Sequence, residues 1–260
     1  MPELRAFHRL YRARSLLAIA SLALVTGCNA ILIPDPNVKY IAFGDSATDG
    51  TDENNYVLLL PARLGEPPER IANEGFGGET SIEGLPRLTS LLASGKYPNA
   101  EVLLYWEGGN DIRDFIATHD PLLLFSPDDT SFPFPGALDD QLEQIALTLE
   151  LGVEAGKSAG LEVFLATYFP IREEVRKCEA LLLDLILPVQ AQRANAYVVR
   201  LNERIRTVAA ETGAVLVDVA QVDEIGTSRQ NYTDCNHMST SGNAYVADVF
   251  ADAVTASAAP

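Results

Sequence analysis

The chain has 260 residues, of which 47% are apolar, enough to fill the core of one full-sized domain. Its formal net charge of −17 repels polyanions, which excludes nucleic acid as a partner. Neither HExxH nor CxxC occurs, so no metal is expected.

The first 27 residues carry Arg5, Arg9, Arg12 and Arg14 ahead of the uncharged apolar run from Ser15 to Thr26. That run is too short to span a bilayer, which takes about 20 apolar residues, and it reads as a signal peptide. It ends in Leu24-Val25-Thr26-Gly27-Cys28, which resembles the lipobox of bacterial lipoproteins, with Val25 where leucine is favoured. The resemblance implies cleavage before Cys28 and a diacylglyceryl group on its sulfur. The protein is then expected to be exported and lipid-anchored to a bacterial cell membrane. An ordinary signal peptide with an incidental cysteine is the alternative. Residues 28–37, with Pro34 and Pro36, read as a lipidated tether, and residues 38–260 as one α/β domain. Without the leader the net charge is near −20.

Apolar runs of strand length occupy Val38 to Phe43, Val102 to Trp106, Leu161 to Thr167 and Ala214 to Val219, with a weaker one from Arg70 to Asn73. Helix-period stretches run from Asn54 to Leu64, Ser81 to Ser94, Leu138 to Ala159, Ala194 to Gly213 and Ser241 to Ala256, the last with Ser241 as its cap. The alternation predicts a mainly five-stranded parallel sheet covered on both faces. In such sheets reactive groups gather at the carboxyl ends of strands.

Four segments at those ends carry chemistry. Gly44-Asp45-Ser46 follows the first strand, so Ser46 projects from its carboxyl end with amide groups behind it to face a developing oxyanion. The segment Asn73-Glu74-Gly75-Phe76-Gly77-Gly78-Glu79 follows the second, where glycines let backbone N–H groups approach a substrate. Glu107-Gly108-Gly109-Asn110-Asp111 follows the third and offers the Asn110 amide as a further donor. Asp234-Cys235-Asn236-His237 precedes the last helix, with a carboxylate three residues from an imidazole that can serve Ser46. Each residue has an ordinary structural reading as a turn or cap, and it is the order of the four blocks that favours chemistry.

In these blocks and their order the chain resembles the SGNH hydrolases, the GDSL-type lipases and esterases. The resemblance implies a flavodoxin-like three-layer α/β/α sandwich. It assigns Ser46 as nucleophile, Asp234 and His237 as its triad partners, and Ser46, Gly78 and Asn110 as oxyanion donors. It implies no cofactor, and hydrolysis of a small-molecule or polymer-linked carboxylic ester through an acyl-serine intermediate. A carbohydrate O-acetylesterase or an acyltransferase would use the same site, and a non-catalytic lipid-anchored binding protein would keep only the fold.

With Cys28 given to the lipid, Cys178 and Cys235 are left as a possible disulfide, the alternative being two separate buried thiols. Asp45 and Asp111 are expected to hold loops by hydrogen bonds, and His119 to be a solvated loop residue. The letters GxSxG from Gly156 to Gly160 lie between a helix and a strand, the wrong context for a nucleophile. The apolar segments Leu122 to Pro135 and Leu181 to Leu187 are expected to pack in the interior or to line an acyl pocket.

Overall fold

A computed structural model describes residues 33–50, 54–123, 132–174, 176–178 and 185–258. Cys28 and the leader lie outside the described residues.

Strand β1 (Tyr40–Gly44) is followed by the short helices α1 (Ser46–Asp49) and α2 (Leu60–Leu64), then by β2 (Ile71–Gly75) and α3 (Ser81–Ala93). Next come β3 (Val102–Trp106), α4 (Gly109–His119), α5 (Pro135–Ser158) and β4 (Glu162–Ala166). An antiparallel pair, β5 (Arg176–Lys177) and β6 (Leu185–Ile186), precedes α6 (Pro188–Thr212). Then follow β7 (Val215–Val217), α7 (Asp223–Thr227) and α8 (Thr240–Ser257).

The main sheet runs β2-β1-β3-β4-β7 with every pairing parallel. Helices α3, α5 and α6 pack side by side in one layer, while α2 pairs with α8 in the other. The result is the three-layer α/β/α sandwich. Covered on both faces, β1 and β3 are buried at every position, which is why they read as continuous apolar runs without alternation. Edge strand β2 is only half-buried, and its sequence signal is correspondingly weak.

Strand order reverses between β1 and β3, and the register there sets Gly44 level with both Gly75 and Trp106. A crevice at the carboxyl ends of the strands forms at such a switch point. Beneath it Trp106 is surrounded by the rings of Tyr56, Tyr168, Phe169 and Phe250, with centroids 5.6 to 6.0 Å away. Burial of large apolar side chains is worth about 1.5–3 kcal/mol each, so this cluster makes a firm floor for the site.

Several boundaries differ from the sequence expectation. The stretch from Asn54 is helical only from Leu60, because Asn55 Oδ1 takes the Leu58 N–H and Asn54 Nδ2 is drawn off to the Met238 carbonyl. Helices α5 and α6 start earlier than expected, each with proline at its first position, where the missing N–H costs nothing. Ser239, not Ser241, caps α8, accepting the Gly242 N–H, while Ser241 Oγ bonds the Gln230 carbonyl. Helix α4 was not anticipated, since it begins inside a Gly-Gly-Asn turn signal. His119 is its last residue rather than part of a solvated loop: its ring stacks 4.3 Å from that of Phe115, and Nδ1 meets the Phe115 carbonyl at 3.2 Å. Gly156, at the GxSxG letters, is buried in α5, where a Cβ would press on Val163 and Leu103.

Candidate active site

Ser46 opens α1 directly after β1, so its side chain stands at the carboxyl end of the strand. The preceding Asp45 caps α1 by accepting the Ala47 N–H at 2.8 Å, and its other oxygen accepts the Tyr168 hydroxyl at 2.8 Å. Burial pushes the Asp45 carboxyl up to about 6, against the pull of these two donors. Glycine is required at 44, where a Cβ would collide with the Trp106 carbonyl and the Thr48 hydroxyl. Only this close approach lets β1 turn into α1 beside β3.

The second block lies against α1. A side chain on Gly75 would collide with the backbone of Asp49, and Gly77 N–H donates to Asp49 Oδ2 at 3.1 Å. Gly78 follows at φ +82°, a left-handed conformation that favours glycine, with open space around its Cβ position. The third block clasps the second. Buried Asn110 donates from Nδ2 to the Glu79 carbonyl at 2.8 Å, and Asp111 accepts both the Ser81 N–H at 2.7 Å and its hydroxyl at 2.8 Å. Asn110 Nδ2 carries two N–H bonds, so the second is left to point elsewhere.

The fourth block closes the array across 191 positions of sequence. His237 Nε2 lies 3.2 Å from Ser46 Oγ, and its Nδ1 lies 2.7 Å from Asp234 Oδ2. Asp234 Oδ1 accepts the backbone N–H groups of Asn236 at 3.0 Å and His237 at 2.8 Å. The turn is tied off by Thr233 N–H to the His237 carbonyl and by the Tyr232 hydroxyl to the Pro170 carbonyl. The hydrogen bond to Asp234 raises the His237 imidazole above its ordinary value despite its partial burial. Burial alone would raise Asp234, but the His237 ring and the two N–H groups outweigh it and bring the carboxyl below its usual range.

The Cys178 and Cys235 sulfurs lie within bonding distance, with Cα atoms 5.1 Å apart. Both are buried beside Ile186 and Ala191, so the linkage joins the β5–β6 pair to the fourth block. His119 takes no part in the Ser46–His237–Asp234 array.

Some supporting residues gave no signal in sequence. Arg87, mid-helix in α3, lies over the Phe43 ring at 3.8 Å, holds the Glu79 carboxylate and donates to the Glu74 carbonyl at 2.8 Å. Glu107 is fully buried, and its carboxyl faces that of Glu79. Above Gly84 its Oε1 converges with Glu79 Oε2: a Cβ there would sit 3.1 and 3.2 Å from them. Burial, reinforced by the charges of Asp45 and Glu79, raises the Glu107 carboxyl well above its ordinary value. Among the described residues no cluster of His, Cys, Asp or Glu is arranged to hold a metal ion.

No curated protein matches the sequence, whereas solved structures resemble the fold at low identity. A lipolytic G-D-S-L family member from Veillonella parvula superposes with a TM-score of 0.56 at 17% identity, covering 84% of this chain and 98% of its own. A GDSL-like lipase from Bacteroides thetaiotaomicron gives 0.53 at 16%, covering 87% and 90%. A carbohydrate acetylesterase from Sinorhizobium meliloti gives 0.56 at 16%, covering 84% and 99%. At such identities these likenesses speak for the fold. The profile of the GDSL-like Lipase/Acylhydrolase family matches residues 42–245, nearly the whole of the described domain. The chain belongs to that family of hydrolases.

Proposed function

We propose that the protein is a serine esterase acting through an acyl-serine intermediate. The observation that carries this reading is the unbroken relay from Ser46 Oγ to His237 Nε2 at 3.2 Å and from Nδ1 to Asp234 at 2.7 Å. Neutral His237 takes the Ser46 proton as Oγ attacks the ester carbonyl. The same proton then passes to the leaving alkoxide as the C–O bond breaks. Water, deprotonated by His237, attacks the acyl-serine, and the proton returns to Ser46 Oγ as its bond to the acyl carbon breaks and the acid is released. Asp234 fixes the tautomer and supports the transient imidazolium. The Ser46 and Gly78 N–H groups and the second N–H of Asn110 are the oxyanion donors.

Ser46→Ala tests this directly. It is expected to lower hydrolysis of a p-nitrophenyl ester by on the order of 10⁴-fold or more and to abolish labelling by a fluorophosphonate probe, with the fold retained. A variant keeping a tenth of the activity would remove Ser46 from the mechanism.

The basic n-region, apolar run and Cys28 further support export and anchoring by lipid at a bacterial membrane, and a disulfide between Cys178 and Cys235 suits an oxidising compartment. Cys28→Ser is expected to move the protein from the membrane to the soluble fraction. Persistence at the membrane would mean another form of attachment.

A further inference from the structure

The geometry points to a binding site for a linear, medium-length fatty acyl chain, with one wall held in place by the Cys178–Cys235 linkage. This rests on the serine-esterase reading and extends it to a substrate class.

Two cavities, each of about 430 Å³, adjoin Ser46 and share Ala47, Phe169 and Asn236 on their walls. The first is bordered by Asn110 but not His237, the second by His237 and Asp234 but not Asn110. In ester cleavage the oxygen of the leaving alcohol must face the imidazole that protonates it, while the carbonyl oxygen faces the oxyanion donors. The second cavity, with Asn54, Thr233 and Asn243 on its walls, therefore faces the alcohol. The first is left for the acyl group.

The walls of that first cavity are apolar by construction. Helix α4 turns one face to it, with Ile112 and Ile116 one turn apart and Ala117 beyond, and α6 does the same with Ala194, Val198 and Leu201. Polar groups gather toward the catalytic end at Asp45, Ser46, Asn110 and Asn236, with Arg113 one turn along α4. From Asn110 to Ala117 the helix advances about 10 Å, so the cavity has the length for a chain well beyond acetyl. An acetyl group would leave this surface uncovered, whereas each methylene buried along it is worth roughly fourfold in binding.

A further part of the wall comes from Ile171, Ile186, Cys178 and Cys235. Ile186 belongs to the two-residue strand β6, paired among the described residues with β5 alone, too little structure to hold a wall by itself. Its attachment to the fourth block runs through the cysteine pair and the small apolar cluster around it. The bridge thus acts as a positioning element for chain-length selectivity as well as a staple of the fold.

The test is kcat/KM across p-nitrophenyl acetate, hexanoate, decanoate and palmitate, beside release of acetate from acetylated xylan. The decanoate-to-acetate ratio is expected to exceed ten. Ala194→Phe and Val198→Phe, each filling the cavity, are expected to lower it at least tenfold, while Val199→Phe, on the solvent side of the same helix, leaves it unchanged. Cys178→Ala/Cys235→Ala, or wild type under reductant, is expected to lower the ratio severalfold, mainly through the decanoate KM. A preference for acetyl esters, or a ratio indifferent to both filling variants, overturns the acyl site. A ratio indifferent to loss of the bridge overturns the role of the cysteines. Should no ester be cleaved, the esterase reading fails by itself. The cavity is then judged by titrating decanoate and acetate into Ser46→Ala: decanoate binding that Ala194→Phe removes upholds the acyl site, and its absence rejects it.

Discussion

The Asn110 side chain spends one of its two amide N–H bonds on the Glu79 carbonyl, at 2.8 Å in a buried contact. The donor is thereby fixed before any substrate arrives, and the remaining N–H has one direction left to it. Preorganisation of this kind stabilises charge as it develops and does little for the neutral ester. Asn110→Ala is expected to cost about 2.7–4 kcal/mol of barrier, appearing in kcat with KM nearly unchanged. A rise in KM alone would make Asn110 a ground-state binding residue.

The Asp234–His237 pair sets the pH dependence. His237 must be neutral to accept the Ser46 proton, and its bond to Asp234 raises its ionisation above the ordinary 6.5. The acid limb of kcat/KM should therefore fall above pH 6.5. Asp234→Asn, which removes the raising partner, is expected to move that limb to lower pH and to reduce the plateau by about 10⁴-fold. Stability runs the other way. A histidine raised on folding contributes stability that is fully present below 6.5 and is lost as pH climbs through its folded value. Activity and this share of stability are thus exchanged across one pH window, which paired rate and melting profiles would detect.

Glu107 makes a second pH-linked contribution. Burial and its acidic neighbours raise its carboxyl above the 4.5 near which it ionises in the unfolded chain. The folded protein holds the extra proton, so stability falls as pH rises from that value toward the raised one. Glu107→Gln, neutral at every pH and similar in shape, is expected to flatten the fall and to leave the protein at least as stable at pH 8. Tm of wild type and variant between pH 5 and 8 decides this, and a variant steeper than wild type would mean that Glu107 is charged in the fold.

Three of the candidate blocks were legible in sequence because each directly follows a strand, whereas the fourth, Asp234 to His237, lies well past β7 and was marked by its carboxylate–imidazole spacing ahead of the last helix. Continuous apolar runs marked β3 at its observed bounds and β1 to within two residues, since both faces of each are covered. The supports were not legible. Arg87 looks like any polar residue of a helix, and its grip on Glu79 exists only once α3 lies across the carboxyl end of β1. Glu107 occupies a position that sequence alone assigns to a turn, and its burial follows from helix packing above it. Helix α4 was hidden by the Gly-Gly-Asn signal at its start, although Ile112, Phe115 and Ile116 carry a helical period. Helices α5 and α6 begin before the stretches in which their apolar period is plain, each with a proline at its first position.

Ser46 and His237 come from opposite ends of the domain, and the imidazole is delivered just ahead of α8, which docks on α2 and β7. A chain emerging amino-terminus first therefore exposes its nucleophile long before it possesses a base. On the proposed mechanism Ser46 stays an ordinary alcohol until α8 has settled, and a nascent chain would not attack the esters around it. Hydrolytic competence is in effect a receipt for completed folding: a pulse of synthesis sampled over time would show esterase activity arriving with the last packing event and not with the appearance of the serine.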